Sequence, residues 1–258
     1  MFSTNPTPNI FIPTMAKHTI KICLLLLLLH ISFSSGWDSD SVQDLCVTNP
    51  SSGFQLNGFP CKDQSKVVSS DFKSSLLIKP GNTSNPLRSA LTIGTASSFH
   101  GLNTQGLSFA RIDYAQGGIV QPHYHPRASE VLFVLKGTLQ AGFIDTQNRL
   151  FTEMLSEGDL FVFPVGMVHF IRNVGRGEAV SLSSLNSQNP GAVLIAKTLF
   201  SSNPGVPDGV LARAFRISEG EVHSIEKAMS SRGEMKYGGL SAYMMLLVQF
   251  IICLYICV

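Results

Sequence analysis

The apolar positions along the chain change rhythm twice. From about Leu87 to Thr198 short apolar runs alternate with turn residues. Four stretches carry the pattern most clearly: LSFARIDYA (107–115), EVLFVLKGTLQAGFI (130–144), DLFVFPVGMVHFIRNV (159–174) and AVLIAKTLF (192–200). Each reads as strands of about five to eight residues. Glycines punctuate them at Gly117, Gly118, Gly137, Gly158, Gly166 and Gly175. Regular short strands without long helices argue for an all-β sandwich or small barrel. After a loop, SSNPGVPDG (201–209), the period becomes helical: Leu211, Ala214 and Phe215 share one face. SEGE at Ser218–Glu221 is a capping box, and Val222, Ile225 and Met229 continue an apolar stripe. Two short amphipathic helices therefore follow the strands. Their apolar faces need a partner, either the barrel or another subunit.

The two ends have a different texture. MAKHTIKICLLLLLLHISFSSG has basic residues, an apolar run from Ile22 to Leu29, then small residues, the layout of a secretory signal with cleavage between Ser34 and Trp37. Residues 1–36 are assigned to it, with Met15 an alternative start. The run is too short for a membrane anchor. Residues 37–72, rich in Ser, Asn, Gly and Pro, read as an irregular arm. The barrel is placed at 73–200, the helical extension at 201–232 and an apolar tail at 233–258. Ala242 to Val258 is almost wholly apolar, near the lower limit for a membrane span. A glycolipid-anchor signal, a tail-end membrane helix and an aberrant gene end are three readings of it that stay open.

The 258 residues, 44% hydrophobic and 14% charged, suffice for one sizeable core. The formal charge of +2 is accounted for by Lys17 and Lys21, inside the signal segment, so the mature chain is near neutral. No basic patch stands out, and no nucleic-acid partner is expected. Secretion changes the meaning of the cysteines. Cys23 leaves with the signal, and Cys253 and Cys257 lie in the tail. Cys46 and Cys61 remain, and in an oxidising compartment they should bridge; two free buried thiols are the alternative. Asn82, in Asn-Thr-Ser, is the one glycosylation sequon without proline at its centre.

The chemistry concentrates in HYHPRASE, His123 to Glu130. His123 and His125 stand two apart, so on a strand they point to one face. Pro126 and Arg127 turn the chain, and Glu130 opens the next strand, so two neighbouring strands can aim three side chains into one space. His169, in GMVHFIRNV, is taken as inward, because a barrel interior is where it can meet the other three. Alone, a His-x-His pair is mostly a surface coincidence and a strand histidine mostly a core residue; the conjunction is what counts. His100 and His223 lack ligand-like neighbours in the sequence and are treated as structural or solvent-facing. Three imidazoles and one carboxylate suit Mn, Fe, Co, Ni or Zn. On a six-coordinate ion they leave two positions open, whereas a tetrahedral zinc would have none.

These residues resemble a known family. Gly117, His123, His125, Glu130 and Gly137 follow the first cupin box, G-x5-H-x-H-x4-E-x6-G. Gly158, Pro164, Gly166, His169 and Asn173 follow the second, G-x5-P-x-G-x2-H-x3-N. QDLCV at Gln43, NGFPCK at Asn57, LNSQNPG at Leu185 and VLARAF near the end extend the resemblance to plant germin-like proteins over about Ser41 to Met229. The resemblance implies a cupin jelly-roll β-barrel with a short C-terminal α-helical extension. It implies Mn(II) on His123, His125, Glu130 and His169, with Asn173 supporting the site, and a Cys46–Cys61 disulfide. It implies helices that clasp a neighbour into a homohexamer, a trimer of dimers. It implies secretion to the apoplast and cell wall and a part in plant defence, with the membrane reached only through the tail.

On activity the resemblance divides. Some germins oxidise oxalate, holding it with two asparagines that align here with Ala110 and Val120. Neither side chain can hydrogen-bond a carboxylate, so little oxalate oxidase activity is expected. Other germin-like proteins resemble manganese superoxide dismutases, whose small oxygen substrate needs only the open redox metal. The alternative is a non-enzymatic wall or ligand-binding protein, as in relatives described as auxin-binding.

Overall fold

The computed structural model describes residues 43–51 and 58–230. The expected signal segment, part of the arm and the apolar tail lie outside them. Among the described residues ten strands form two five-stranded antiparallel sheets: β1 (Ser89–Gly94), β2 (Ser108–Tyr114), β3 (Ile119–Tyr124), β4 (Glu130–Lys136), β5 (Leu139–Ile144), β6 (Leu150–Leu155), β7 (Leu160–Phe163), β8 (Val168–Asn173), β9 (Ala179–Leu185) and β10 (Val193–Leu194). One sheet runs β1-β2-β9-β4-β7 and the other β10-β3-β8-β5-β6. The chain changes sheet again and again, which is the jelly-roll arrangement.

Alternation fills the space between the sheets. Ile112 and Tyr114 of β2, Leu132 and Val134 of β4, Leu139 and Ala141 of β5, and Ile171 of β8 are buried in one cluster with Phe163. β9 follows the same period with the opposite chemistry: Ala179, Ser181, Ser183 and Leu185 are buried, while Val180 and Leu182 are the more exposed set. Hydropathy alone would face that strand the wrong way. Its inward hydroxyls are tolerable because small side chains make room for large neighbours, and Tyr114 Oη lies 3.1 Å from Ser181 Oγ.

The run Ala192–Phe200, expected as a strand, is a strand only at β10 and then becomes helix α1 (Ile195–Phe200). Lys197 and Thr198 are exposed between half-buried or buried Ile195, Ala196, Leu199 and Phe200, a four-residue period that a strand cannot satisfy. Helices α2 (Asp208–Phe215) and α3 (Glu219–Ser230) follow. The capping box forms: Glu221 Oε2 accepts from the Ser218 amide at 2.7 Å, and Ser218 Oγ accepts from the Glu221 amide at 3.3 Å. The helices bury their faces chiefly on one another, in a cluster of Phe200, Leu211 and Val222. So the partner sought for them is in large part the unexpected α1. Val210, Phe215 and Met229 remain exposed.

Cys46 and Cys61 are bridged, with Cα atoms 4.7 Å apart. Asn103, fully buried, pins the bridged arm: its Nδ2 donates to Phe59 O at 2.8 Å and its Oδ1 accepts from Phe59 N at 3.2 Å. Asn82 sits on the exposed connection before β1. Among the described residues no helix is long and apolar enough to cross a membrane.

Candidate metal centre

β3 and β4 follow each other in sequence but lie in opposite sheets. Glu130 therefore reaches the histidines across the barrel rather than from a hydrogen-bonded neighbour, as the sequence reading had supposed. The true neighbour of β3 is β8, where His123 pairs directly with His169. His123, His125, Glu130 and His169 are all at least 92% buried, and one ligand atom from each lies within 4.8 Å of the others.

A β-bulge shapes this wall. Val120 pairs with Ile171 and His123 with His169, so β3 spends three residues where β8 spends two. Strict alternation from His123 would turn Val120 outward. With the extra residue, Val120 packs against the core and shares the cavity wall with His123.

Each imidazole is oriented from behind. His123 Nδ1 lies 2.9 Å from Gln121 O, His169 Nδ1 2.9 Å from Met167 O, and His125 Nδ1 bonds Gly191 O. A carbonyl can only accept, so all three Nδ1 atoms carry the proton and Nε2 is left for the interior. Phe163 stacks on the His169 ring at 4.3 Å. These supports were not read from the sequence. The repeated carbonyl two residues before the histidine, at Gln121 and Met167, is a backbone feature with no residue signature.

The electrostatics call for positive charge. His169 Nε2 is buried without a hydrogen-bond partner, and Glu130 Oε2, 3.4 Å away, lacks hydrogen-bond geometry. His125 Nε2 lies 3.0 Å from the other carboxylate contact, Glu130 Oε2, so this ring is flanked by acceptors on both sides. Burial opposes its protonation, yet the Glu130 contact outweighs it and the His125 pKa is raised. Burial pushes the Glu130 carboxyl up, but His125 and His169 overcome that and hold it well below the usual range. Burial, with His169 and His125 alongside, lowers His123 to about 4. A divalent cation would take the three Nε2 lone pairs and the carboxylate at once, answering both the orphaned nitrogen and the buried negative charge. The residues fit a hard-to-borderline metal with N and O donors.

Asn173 belongs elsewhere. Its Nδ2 donates to Ala115 O at 2.9 Å and Gly177 O at 2.7 Å, and its Oδ1 accepts from Gly175 N at 3.0 Å. None of these partners is a ligand, and Asn173 lies four positions along β8 from His169, roughly 13 Å. Instead of supporting the site it clasps the turns at the far end of the barrel. His223 faces solvent as expected, but it has company the sequence did not show: its Nε2 is 2.6 Å from Asp208 Oδ2, and Glu226 lies close by, both half-buried. The backbone carbonyl of His100 accepts from Thr48 N at 3.1 Å.

A cavity of about 460 Å³ opens beside the four residues. His123, His125 and Glu130 form part of its wall, and Ala110 and Val120 line it too, with Leu91, Ile93 and Leu194.

A jelly roll with three histidines and one glutamate converging inside it defines a cupin, and the Cupin family model matches residues 75–223. Germin-like protein subfamily 2 member 1 of Arabidopsis thaliana is 48% identical over 212 residues, covering 82% of this chain and 97% of the relative. The rhicadhesin receptor of Pisum sativum is 45% identical over 213 residues, 83% of this chain and 98% of its own. Among solved structures, a recombinant oxalate oxidase in complex with glycolate superposes with a TM-score of 0.73 at 40% identity, over 74% of this chain and 98% of that one. The chain belongs to the germin-like family of cupins.

Proposed function

We propose that this chain is a secreted, manganese-binding germin-like glycoprotein of the plant apoplast and cell wall, acting in defence. Its enzymatic activity is superoxide dismutation rather than oxalate oxidation. The observation that carries the reading is the convergence of three Nδ1-anchored imidazoles and one carboxylate on a common point inside the barrel. Bound there, manganese supplies one-electron redox chemistry with positions left open to a small oxygen species. The chain's own part is to fix the tautomers through Gln121, Met167 and Gly191, to brace His169 with Phe163, and to keep the charged donors in a dry barrel.

Ala110 and Val120 support the choice between substrates. Oxalate brings two carboxylates that need hydrogen-bond donors, and neither side chain has one. Superoxide asks for no such contacts. In this reading the likeness to an oxalate oxidase lies in the scaffold, and the chemistry diverges at these two wall positions. Exposed Asn82 is the glycosylation site in this reading. Exposed Val210, Phe215 and Met229 on the helices, and the outward row Phe109, Val131 and Val162 on one sheet, supply apolar contacts for assembly into a homohexamer.

The test uses protein secreted from plant cells. Metal analysis should give manganese near one per chain, and dismutation should vanish on chelation and return with Mn(II). His123→Ala should abolish bound metal. Metal-loaded protein inactive on superoxide would sink the enzymatic reading, and brisk oxalate-dependent peroxide release would overturn the role given to Ala110 and Val120.

A further inference from the structure

The cavity beside the four donors is far larger than a small oxygen species requires, and its wall is one-sided. Leu91, Ile93, Ala110, Val120, Ile171 and Leu194 present aliphatic surface, His123, His125 and Glu130 mark the polar end, and the amides of Gln121 and Asn189 also reach the wall. Ser89 is not free to bind, since its hydroxyl donates to Ile119 O at 2.6 Å. Thr95 and Ser97 hydroxyls lie 2.8 Å apart, a contact that occupies one of their two protons. No phenylalanine, tyrosine or tryptophan lines the cavity among the described residues. Cavities of this size, apolar with a few convergent polar groups at one end, hold organic ligands by burying a hydrophobic body and fixing one head group.

We propose that this cavity binds a short-to-medium-chain aliphatic monocarboxylic acid, its carboxylate at the histidine end and its hydrocarbon chain along Leu91, Ile93, Val120, Ile171 and Leu194. The head-group half of this inference rests on the metal-centre reading; the chain half rests on the aliphatic wall alone. A single carboxylate matches a single cationic point. The bulge that turns Val120 inward adds methyl-bearing surface that itself offers a second carboxylate no donor. The aliphatic lining favours a flexible chain over a planar ring, which would gain from aromatic stacking that this wall does not offer.

The experiment is titration calorimetry on the intact manganese-loaded protein with acetate, butanoate, hexanoate and octanoate, and with benzoate, oxalate and hexanol for comparison. Each methylene should tighten binding about fourfold until the cavity is full. Hexanoate should bind at least tenfold tighter than either oxalate or hexanol. A flat series, or oxalate as the tightest ligand, overturns the inference, and benzoate tighter than hexanoate overturns its aliphatic half. Ile93→Ser, on an edge strand and checked by its melt, should flatten the chain-length slope. Metal content measured on the same samples separates the two readings. Protein that binds no metal yet keeps the slope, with hexanoate no better than hexanol, refutes the metal centre and retains the chain site. Metal-loaded protein without a slope does the reverse.

Discussion

Replacing Asn173 by Ala removes three hydrogen bonds from a side chain only 2% exposed. The partners are the carbonyls of Ala115 and Gly177 and the amide of Gly175, in the β2–β3 and β8–β9 turns. Gly177 is exposed and Ala115 and Gly175 are half-buried, so water can reach them once the amide is gone. The net value of about 1 kcal/mol per bond is then the right scale, not the larger penalty for a sealed polar group. The sum is about 3 kcal/mol, which for a domain of this size lowers the melting temperature by about 6–12 °C. Metal content of the folded variant should equal that of the wild type, because no ligand touches Asn173. The assay is a thermal melt paired with metal analysis. An unchanged melt would refute the clasp. A folded variant that has lost its metal would show that Asn173 does support the ligands and that the distance reasoning fails.

Three further outcomes follow from the same geometry. Ala110→Asn together with Val120→Asn should tighten oxalate binding by about tenfold per asparagine, read by calorimetry, since each restores a donor to the cavity wall. Cys46→Ser with Cys61→Ser should cost about 3 kcal/mol for the loop they close, read as a shifted urea midpoint. Metal-free protein should lose stability as pH falls from about 6.5 to 4. Unfolded His123 takes up its proton near 6.5, while the buried ring, beside His169 and His125, does so only at about 4. The unfolded state thus binds more protons across that window, and the loss is on the order of 3 kcal/mol in urea titrations at stepped pH. The His125 pKa is raised instead, by the Glu130 contact, so its contribution to stability is lost as pH rises, not as it falls. A flat profile would mean that His123 is not desolvated as described.

The comparison of sequence with structure turns on what kind of signal each feature leaves. Glu130 was legible as a strand start because Pro126 and Arg127 mark the turn before it. The two halves of α3 were legible because SEGE and the Val222–Ile225–Met229 stripe are local chemistry. α1 was misread because a continuous apolar run has no period to betray it, apart from the exposed Lys197–Thr198 pair. β9 carries a weak hydropathy signal because two of its inward residues, Ser181 and Ser183, are serines. The extra residue in β3 left no mark at all, since a bulge is a property of pairing, and pairing involves β8, some fifty residues away.

By itself the sequence determined the donor set. Alternation and turn spacing bring His123, His125 and Glu130 toward one space, His169 joins them through its place in the second cupin box, and three imidazoles with one carboxylate suit a metal with N and O donors. It also determined the strand-rich body and the capped final helix, because those depend on residues within one turn or one strand. Only the tertiary structure decided that Glu130 faces the histidines across two sheets, that Val120 turns inward, that carbonyls at 121, 167 and 191 aim the rings, and that Asn173 serves the far end. Each of those is set by which backbone lies beside which, a long-range contact that no local pattern of side chains encodes.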